Sequence, residues 1–229
     1  MYDYEFKNGH CILCIEGRNW LLDTGSPNTF AFDRSIREIN IDGKDYVLNG
    51  NPGYTQSVVE QVTGCQIFGM IGNDILKKTS FTIFANGKFE FNVAESNEAP
   101  ISISTINYVI IDNILLEGKM IKALFDTGAY INYLMPNKCS YNDLHRTFTD
   151  HDRFGKLIAS NGVSTMIKAG ELLCEVSFGI PVSNASLSMQ AMMHCRVDAI
   201  IGLYNYHFDK PLFSEYLVVD YKNNKMYIK

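Results

Sequence analysis

The tripeptide Asp-Thr-Gly occurs twice, at Asp23-Thr24-Gly25 and Asp126-Thr127-Gly128, each time directly after an apolar run, Trp20-Leu21-Leu22 or Ala123-Leu124-Phe125. Desolvating an unpaired carboxylate at the end of an apolar strand costs on the order of several kcal/mol. Two such residues at matched positions therefore ask for a function in which they act together. The chemistry open to a carboxylate pair is proton transfer. Taken singly, either copy is also good turn chemistry, an Asx-turn or a helix cap.

The elements around the two motifs repeat as well, and a repeat decides the architecture. ILCIEGRNWLLDTGSPNTFAF from Ile12 matches ILLEGKMIKALFDTGAYINYLM from Ile114: apolar strand, Glu-Gly turn, second apolar strand, Asp-Thr-Gly. Downstream, GMIGNDILKKTSFTIFANGKFEF from Gly69 matches the segment from Ala199 to Ile228. Each downstream copy reads as two apolar residues and a glycine (Ile71-Gly72, Ile201-Gly202), a short helix, then a hairpin turning at Asn86-Gly87 or Asn223-Asn224. Pro, Glu, Ser and Asn crowd Ala94 to Pro100, which sets the division at residues 1–97 and 98–229. The halves differ between landmarks: Asp23 to Gly72 spans 49 positions and Asp126 to Gly202 spans 76. The shorter interval reads as a hairpin at Asp42-Gly43, a Gly50-to-Gly53 loop and a helix at about Ser57 to Val62. The longer one reads as a helix or loop near Asn137 to Leu144, a hairpin turning at Asn161-Gly162, and alternating strands from Glu171 to Met192.

Two Asp-Thr-Gly-[Ser/Ala] motifs, each followed by an apolar-apolar-Gly, resemble the two halves of an aspartic protease. Nearly the whole chain takes part, and it is nearer to a retropepsin-like half doubled in one chain than to a full pepsin-like enzyme. The resemblance implies an all-β, bilobal fold of two related lobes with a catalytic cleft between them. It implies an endopeptidase in which Asp23 and Asp126 share one proton and hold the attacking water. Thr24 and Thr127 would hydrogen-bond across to the opposite loop, with Gly25 and Gly128 allowing a sharp bend and leaving N–H groups near the carboxylates and the substrate. The Ile-Gly pairs would pack beneath. No metal and no organic cofactor is implied, and the partner is a peptide or protein substrate bound as a strand by a monomer.

Two departures from the family pattern qualify these expectations. The first half lacks a long flap. The best flap candidate is the strand-turn-strand around Ser160, Asn161 and Gly162, with an ordinary surface hairpin as its alternative. After the glycine stands Ser26 in one half and Ala129 in the other. A Ser26 hydroxyl donating to Asp23 would favour its ionised form, leave Asp126 as proton holder and let activity persist near neutral pH. A catalytically idle peptide-binding module and a subunit of a larger assembly remain open alternatives.

The rest of the sequence excludes more than it assigns. A net charge of −5, with 46% hydrophobic and 20% charged residues, is that of a globular protein with no basic surplus for nucleic acid. Its longest apolar stretches, such as Tyr108 to Ile111, fall far short of the roughly 20 residues that span a bilayer. No apolar signal core follows Met1, so a cytoplasmic protein without membrane partners is expected. Cys11 and Cys14 form a Cys-x-x-Cys within a strand, where odd spacing sends them to opposite faces, and free thiols are expected. His145 and His151 lack zinc-motif spacing and read as part of a polar loop.

Overall fold

The computed structural model describes residues 1–53, 55–138, 150–151, 157–181, 183, 187–205 and 208–229. In the first half, strands β1 (Tyr2–Lys7), β2 (His10–Ile15), β3 (Arg18–Leu22), β4 (Phe30–Ala31), β5 (Glu38–Ile41) and β6 (Lys44–Val47) precede helix α1 (Gln56–Thr63). Strand β7 (Gly69–Ile71), helix α2 (Asn73–Thr79), β8 (Phe81–Phe84) and β9 (Lys88–Glu90) complete it. The second half runs through β10 (Ile101–Ser104), β11 (Ile110–Leu116), β12 (Lys119–Phe125), β13 (Asn132–Leu134), a 3-10 turn (Pro136–Lys138), β14 (Asp150–His151), β15 (Leu157–Ala169) and β16 (Leu172–Pro181). Helix α3 (Leu187–Cys195), β17 (Ala199–Ile201), β18 (Tyr204–Asn205), β19 (Lys210–Pro211), β20 (Tyr216–Asp220) and β21 (Lys225–Ile228) follow. The protein is mostly β, and its strands close into a barrel with two separate two-stranded ribbons, β5–β6 and β18–β19.

One pairing pattern appears in both halves. Strand β7 lies between β3, to which it is parallel (Leu22 opposite Ile71), and β4, to which it is antiparallel (Phe30 opposite Met70). Strand β17 lies likewise between β12 (Phe125 opposite Ile201) and β13 (Tyr133 opposite Ile200). The halves are joined by a continuous ladder in which β8 pairs with β20, β20 with β21, and β21 with β10. The carboxy-terminal hairpin thus belongs to a sheet shared with the first half. The core draws on both halves, with Trp20, Phe81, Phe89, Phe125 and Phe178 fully buried, each such ring contributing about 2–3 kcal/mol of apolar burial.

The β5–β6 hairpin turns at Asp42-Gly43, both residues at positive φ, as the Asp-Gly signal requires. Helix α1 is where the sequence puts it, closed by left-handed Gly64, whose N–H donates to Glu60 O at 2.8 Å. Cys11 is buried and Cys14 exposed, on opposite faces of β2. Among the described residues no helix is long and apolar enough to cross a membrane.

Three expectations are corrected. Asn161-Gly162 is not a turn: both lie within β15, Asn161 opposite Ile180 and Gly162 opposite Gly179, and a register shift at Ser160 takes up the irregularity. The turn falls at Gly170 (φ 59°), between paired Ala169 and Leu172. Residues 187–192, the end of the segment read as strand, belong to α3, since LSMQAMMHC has no β-branched residue and buries Met189 and Met192 one turn apart. The helix expected after Ile201-Gly202 is the ribbon β18–β19. In the first half, Asp74 in the first turn of α2 accepts the Ile75 N–H at 3.0 Å, whereas the second half has Tyr204 there and no such anchor. The Asn137-to-Leu144 expectation extends mostly outside the described residues, as does His145; His151 lies on β14.

Candidate active site

Each Asp-Thr-Gly loop hangs from the strand that threads beneath it. The Asp23 N–H donates to Ile71 O at 3.0 Å and the Asp126 N–H to Ile201 O at 2.9 Å. The loops fold back in the same way, Ser26 N–H to Asp23 O at 3.2 Å and Ala129 N–H to Asp126 O at 3.1 Å. Gly72 N–H donates to Thr29 Oγ1 and Gly202 N–H to Asn132 Oδ1, both at 2.8 Å. A Cβ on Gly72 would lie 2.6 Å from Asn28 C, and one on Gly202 2.4 Å from Ala129 O. The Ile-Gly pairs are therefore close-approach sites that the loops rest on.

The two loops meet through crossed threonines. Thr24 Oγ1 donates to Phe125 O at 2.7 Å and accepts the Thr127 N–H at 3.0 Å. Thr127 Oγ1 donates to Leu22 O at 2.9 Å and accepts the Thr24 N–H at 2.9 Å. All four bonds are buried. The glycines cross too: a Cβ on Gly25 would lie 2.5 Å from Asp126 Oδ1, and one on Gly128 2.6 Å from Asp23 Cγ. Neither glycine has a positive φ. Glycine is required here by the opposite carboxyl, a different reason from the sharp bend expected from sequence.

Asp23 Oδ1 accepts the Gly25 N–H at 2.8 Å and the Ser26 N–H at 3.0 Å, and Asp126 Oδ1 accepts the Gly128 N–H at 2.9 Å. Burial holds both carboxyls above the usual carboxylate range. The charge of Asp126, and a hydrogen bond with it, push Asp23 further up, while the backbone donors pull both down. The pair titrates as a unit. The asymmetry expected between them rests on a Ser26 hydroxyl bond to Asp23. The expected cause is missing: Ser26 Oγ donates to Asn28 O at 2.9 Å and leaves the carboxylate alone.

Both aspartates face a cleft of about 550 Å³. Its walls are α1, through Val58 and Val62, and α3, through Ser188 and Ala191, with Tyr108 and Tyr133 on the α3 side. Beneath the helices lie two matching apolar clusters. Leu21, Phe30, Val59, Ile67 and Met70 support α1, and Leu124, Tyr133, Met189, Val197 and Ile200 support α3. Of the flap candidate, the side chains of Ser160 and Asn161 lie outside the described residues, and Gly162 is buried in β15. The β15–β16 turn instead lies by Pro100, whose carbonyl would be 3.4 Å from a Cβ on Gly170. The β5–β6 turn is tied to β1 by the Asp42 N–H donating to Tyr2 OH at 2.9 Å.

Comparison with protein-family models and with curated proteins returns no significant match for this chain. The site has to be read from its own geometry. Among the described residues no group of three or more His, Cys, Asp or Glu could hold a metal ion.

Sequence reasoning missed a ring of polar supports. Asn73 donates through Nδ2 to Thr24 O and accepts the Tyr221 hydroxyl at 2.6 Å, so β20–β21 of the second half braces the first loop. Thr29 and Asn132 hold the two Ile-Gly strands, and Thr29 Oγ1 donates to Asp74 Oδ1 at 2.6 Å. Their shared place, six residues after each aspartate, is the signal that was available. His10, buried and stacked on Tyr130 (6.1 Å, 16°), also reaches the cleft, and nothing in its local sequence marks it.

Proposed function

We propose that this chain is an aspartic endopeptidase of the pepsin and retropepsin type, with residues 1–97 and 98–229 each forming a lobe and the cleft between them taking an extended polypeptide. The observation that carries this reading is the pair of half-buried carboxyls, each touched by the opposite glycine and tied together by crossed threonine hydrogen bonds. Such a mount holds two carboxyls on one reacting centre. One member, ionised, takes a proton from a water as it attacks the peptide carbonyl; the other, neutral, donates to the forming oxyanion. Raised carboxyl pKa values serve this directly, since they keep one proton on the pair at weakly acidic pH. Neither step calls for a metal or organic cofactor. Both loops come from one chain whose halves share a sheet, so the active species is a monomer.

The test is incubation with a peptide library from about pH 3 to about pH 8, with and without a statine-type transition-state mimic. Cleavage that the mimic blocks is expected; no cleavage at any pH would overturn the reading. Activity per chain should not fall on dilution, and a steep fall would mean that the site is completed between molecules. A second reading is a peptide-binding module of the same fold without turnover, in which the same cleft holds an extended peptide. Binding of the mimic without cleavage of any peptide would select it.

A further inference from the structure

The Gly25 N–H that donates to Asp23 Oδ1 at 2.8 Å belongs to the same peptide unit as the Thr24 carbonyl. That unit is planar and trans, so its oxygen and its N–H point in opposite directions, and whatever holds the oxygen also aims the N–H. The holder is Asn73. Its Nδ2 donates to Thr24 O, and its Oδ1 accepts the Tyr221 hydroxyl at 2.6 Å. A carbonyl can only accept, so the Asn73 amide nitrogen has to face Thr24, and the amide oxygen is left for the phenol. The groups stand in one line of donation: Tyr221 hydroxyl, Asn73 amide, Thr24–Gly25 peptide, Asp23 carboxyl. Both intermediate groups accept at an oxygen and donate at a nitrogen, and in such chains each bond strengthens the next by roughly 10–30%.

The parts of this line are fixed in place. Asn73 and Tyr221 are both buried. The Tyr221 N–H donates to Ser80 Oγ at 3.0 Å, and its ring centroid lies 6.3 Å from that of Phe81. Burial pushes the Tyr221 hydroxyl above the ordinary phenol value, so it stays protonated and donating at neutral and acidic pH. The line is also one-sided. Gly128 N–H makes the matching bond to Asp126 Oδ1 at 2.9 Å, but the residue after Gly202 is Leu203, a buried side chain with nothing to donate to the Thr127 carbonyl.

We propose that Tyr221 and Asn73 are positioning residues for the dyad: the hydroxyl from the carboxy-terminal hairpin, acting through the Asn73 amide and the Thr24–Gly25 peptide, sets the donor that holds the Asp23 carboxyl. Because β20 pairs with β8 and β21 with β10, the first loop is fully set only when that hairpin is docked between the halves. The effect on turnover rests on the endopeptidase reading; the relay itself does not.

The experiment has two arms on the full chain. In the first, the amide resonances of Gly25 and Gly128 are followed by NMR in glycine-labelled wild type, Tyr221→Phe and Tyr4→Phe. In the second, kcat and KM for peptide hydrolysis are measured on the same proteins, with urea unfolding as the measure of stability. Tyr4→Phe is the control, since it also removes a hydroxyl that donates to a backbone carbonyl, Phe84 O at 2.8 Å, but one in neither loop. Tyr221→Phe should move the Gly25 amide proton upfield, leave that of Gly128 in place, and lower kcat by roughly fivefold to tenfold, the scale of one buried hydrogen bond. KM should stay unchanged, because the relay acts on the reacting centre and not on substrate binding. Tyr4→Phe should lose stability with kcat and both amides unchanged. If Tyr221→Phe does not fold, Asn73→Leu, which copies Leu203, takes its place with the same expectations. An unmoved Gly25 amide overturns the relay. A moved amide with unchanged kcat, or an equal fall of kcat in Tyr4→Phe, overturns the positioning role and spares the endopeptidase. If wild type cleaves no peptide, the endopeptidase reading falls and the Gly25 shift alone decides the relay.

Discussion

The two halves of the chain agree wherever they touch the carboxyls and diverge as soon as they do not. Thr24 and Thr127 make the same two bonds in opposite directions, Gly25 and Gly128 make the same approach, and Ile71 and Ile201 accept the same aspartate N–H. One bond length further out the identities change but the roles hold: Thr29 receives the glycine N–H in the first half and Asn132 in the second. Beyond that the architecture parts. The interval after the first aspartate carries a small hairpin and α1; the second carries the long β15–β16 pair and α3. After Ile-Gly comes α2 in one half and a ribbon in the other. Two carboxyls held against each other's loops constrain the shell that contacts them, because a few tenths of an ångström decide whether a Cβ fits. The walls only need to be closed.

That agreement gives the sharpest test of equivalence. Asp23→Asn and Asp126→Asn should each reduce turnover by about three orders of magnitude or more, and the double variant should be little worse than either, since residues that act as a unit are not additive. Peptide hydrolysis by each purified variant is the measurement. A single variant keeping a substantial fraction of wild-type turnover would show that the halves are alike in form only.

The crossed threonines carry the next largest effect. Thr24→Ala leaves Phe125 O and the Thr127 N–H buried without their partner, and Thr127→Ala does the same to Leu22 O and the Thr24 N–H. Each should cost on the order of 3 kcal/mol in urea unfolding, and the two costs should match. Serine at either position restores the hydroxyl and should recover most of the loss. Unequal costs would mean that one loop is held mainly by something else, and the Asn73–Tyr221 brace on the first loop is the contact to blame.

The same contrast explains what the sequence could reveal. The repeat, the two motifs, the Asp42-Gly43 turn and α1 are legible because local chemistry and tertiary need coincide: Asp-Gly supplies the positive φ that a two-residue turn demands, and α1 ends at a glycine able to adopt it. Asn161-Gly162 carries an equally good local signal, yet its neighbours on both sides pair with β16, and the ladder outweighs a turn preference of about 1 kcal/mol. The crossing of Gly25 to Asp126 and Gly128 to Asp23 is a contact between residues about a hundred positions apart. No spacing rule within either loop announces it. The role of Asn73 is illegible in sequence for a similar reason, because its partner Tyr221 comes from the far end of the chain.

A smaller effect follows from the raised pKa values, and its sign is fixed. Groups whose carboxyl pKa is higher in the folded than in the unfolded chain bind more protons when folded, so stability falls as pH rises from the ordinary carboxylate range through the raised values. Asp23→Asn removes that penalty. The variant should melt above wild type near neutral pH, and the difference should vanish at about pH 3, where both states are protonated. Asp126→Asn should behave alike, since burial pushes that carboxyl up as well. A variant that is less stable than wild type at neutral pH would mean that the ionised carboxyl is favoured by the fold.

The smallest effect belongs to the one difference within the motifs that the sequence singles out. Ser26 and Ala129 occupy equivalent places, and a hydroxyl on one carboxylate alone would tune the pair asymmetrically. The Ser26 hydroxyl is spent on Asn28 O, two residues on, while its backbone N–H makes the bond to Asp23 that any residue would make. Ser26→Ala should therefore leave the basic limb of the pH–rate profile in place, and Ala129→Ser should not move it either. Both variants should match wild type in turnover within about twofold, the scale of an exposed hydrogen bond worth about 0.5 kcal/mol. A limb that moves downward in Ala129→Ser would show that a serine there reaches Asp126 during the reaction, and that the two loops differ where the resting geometry makes them equal.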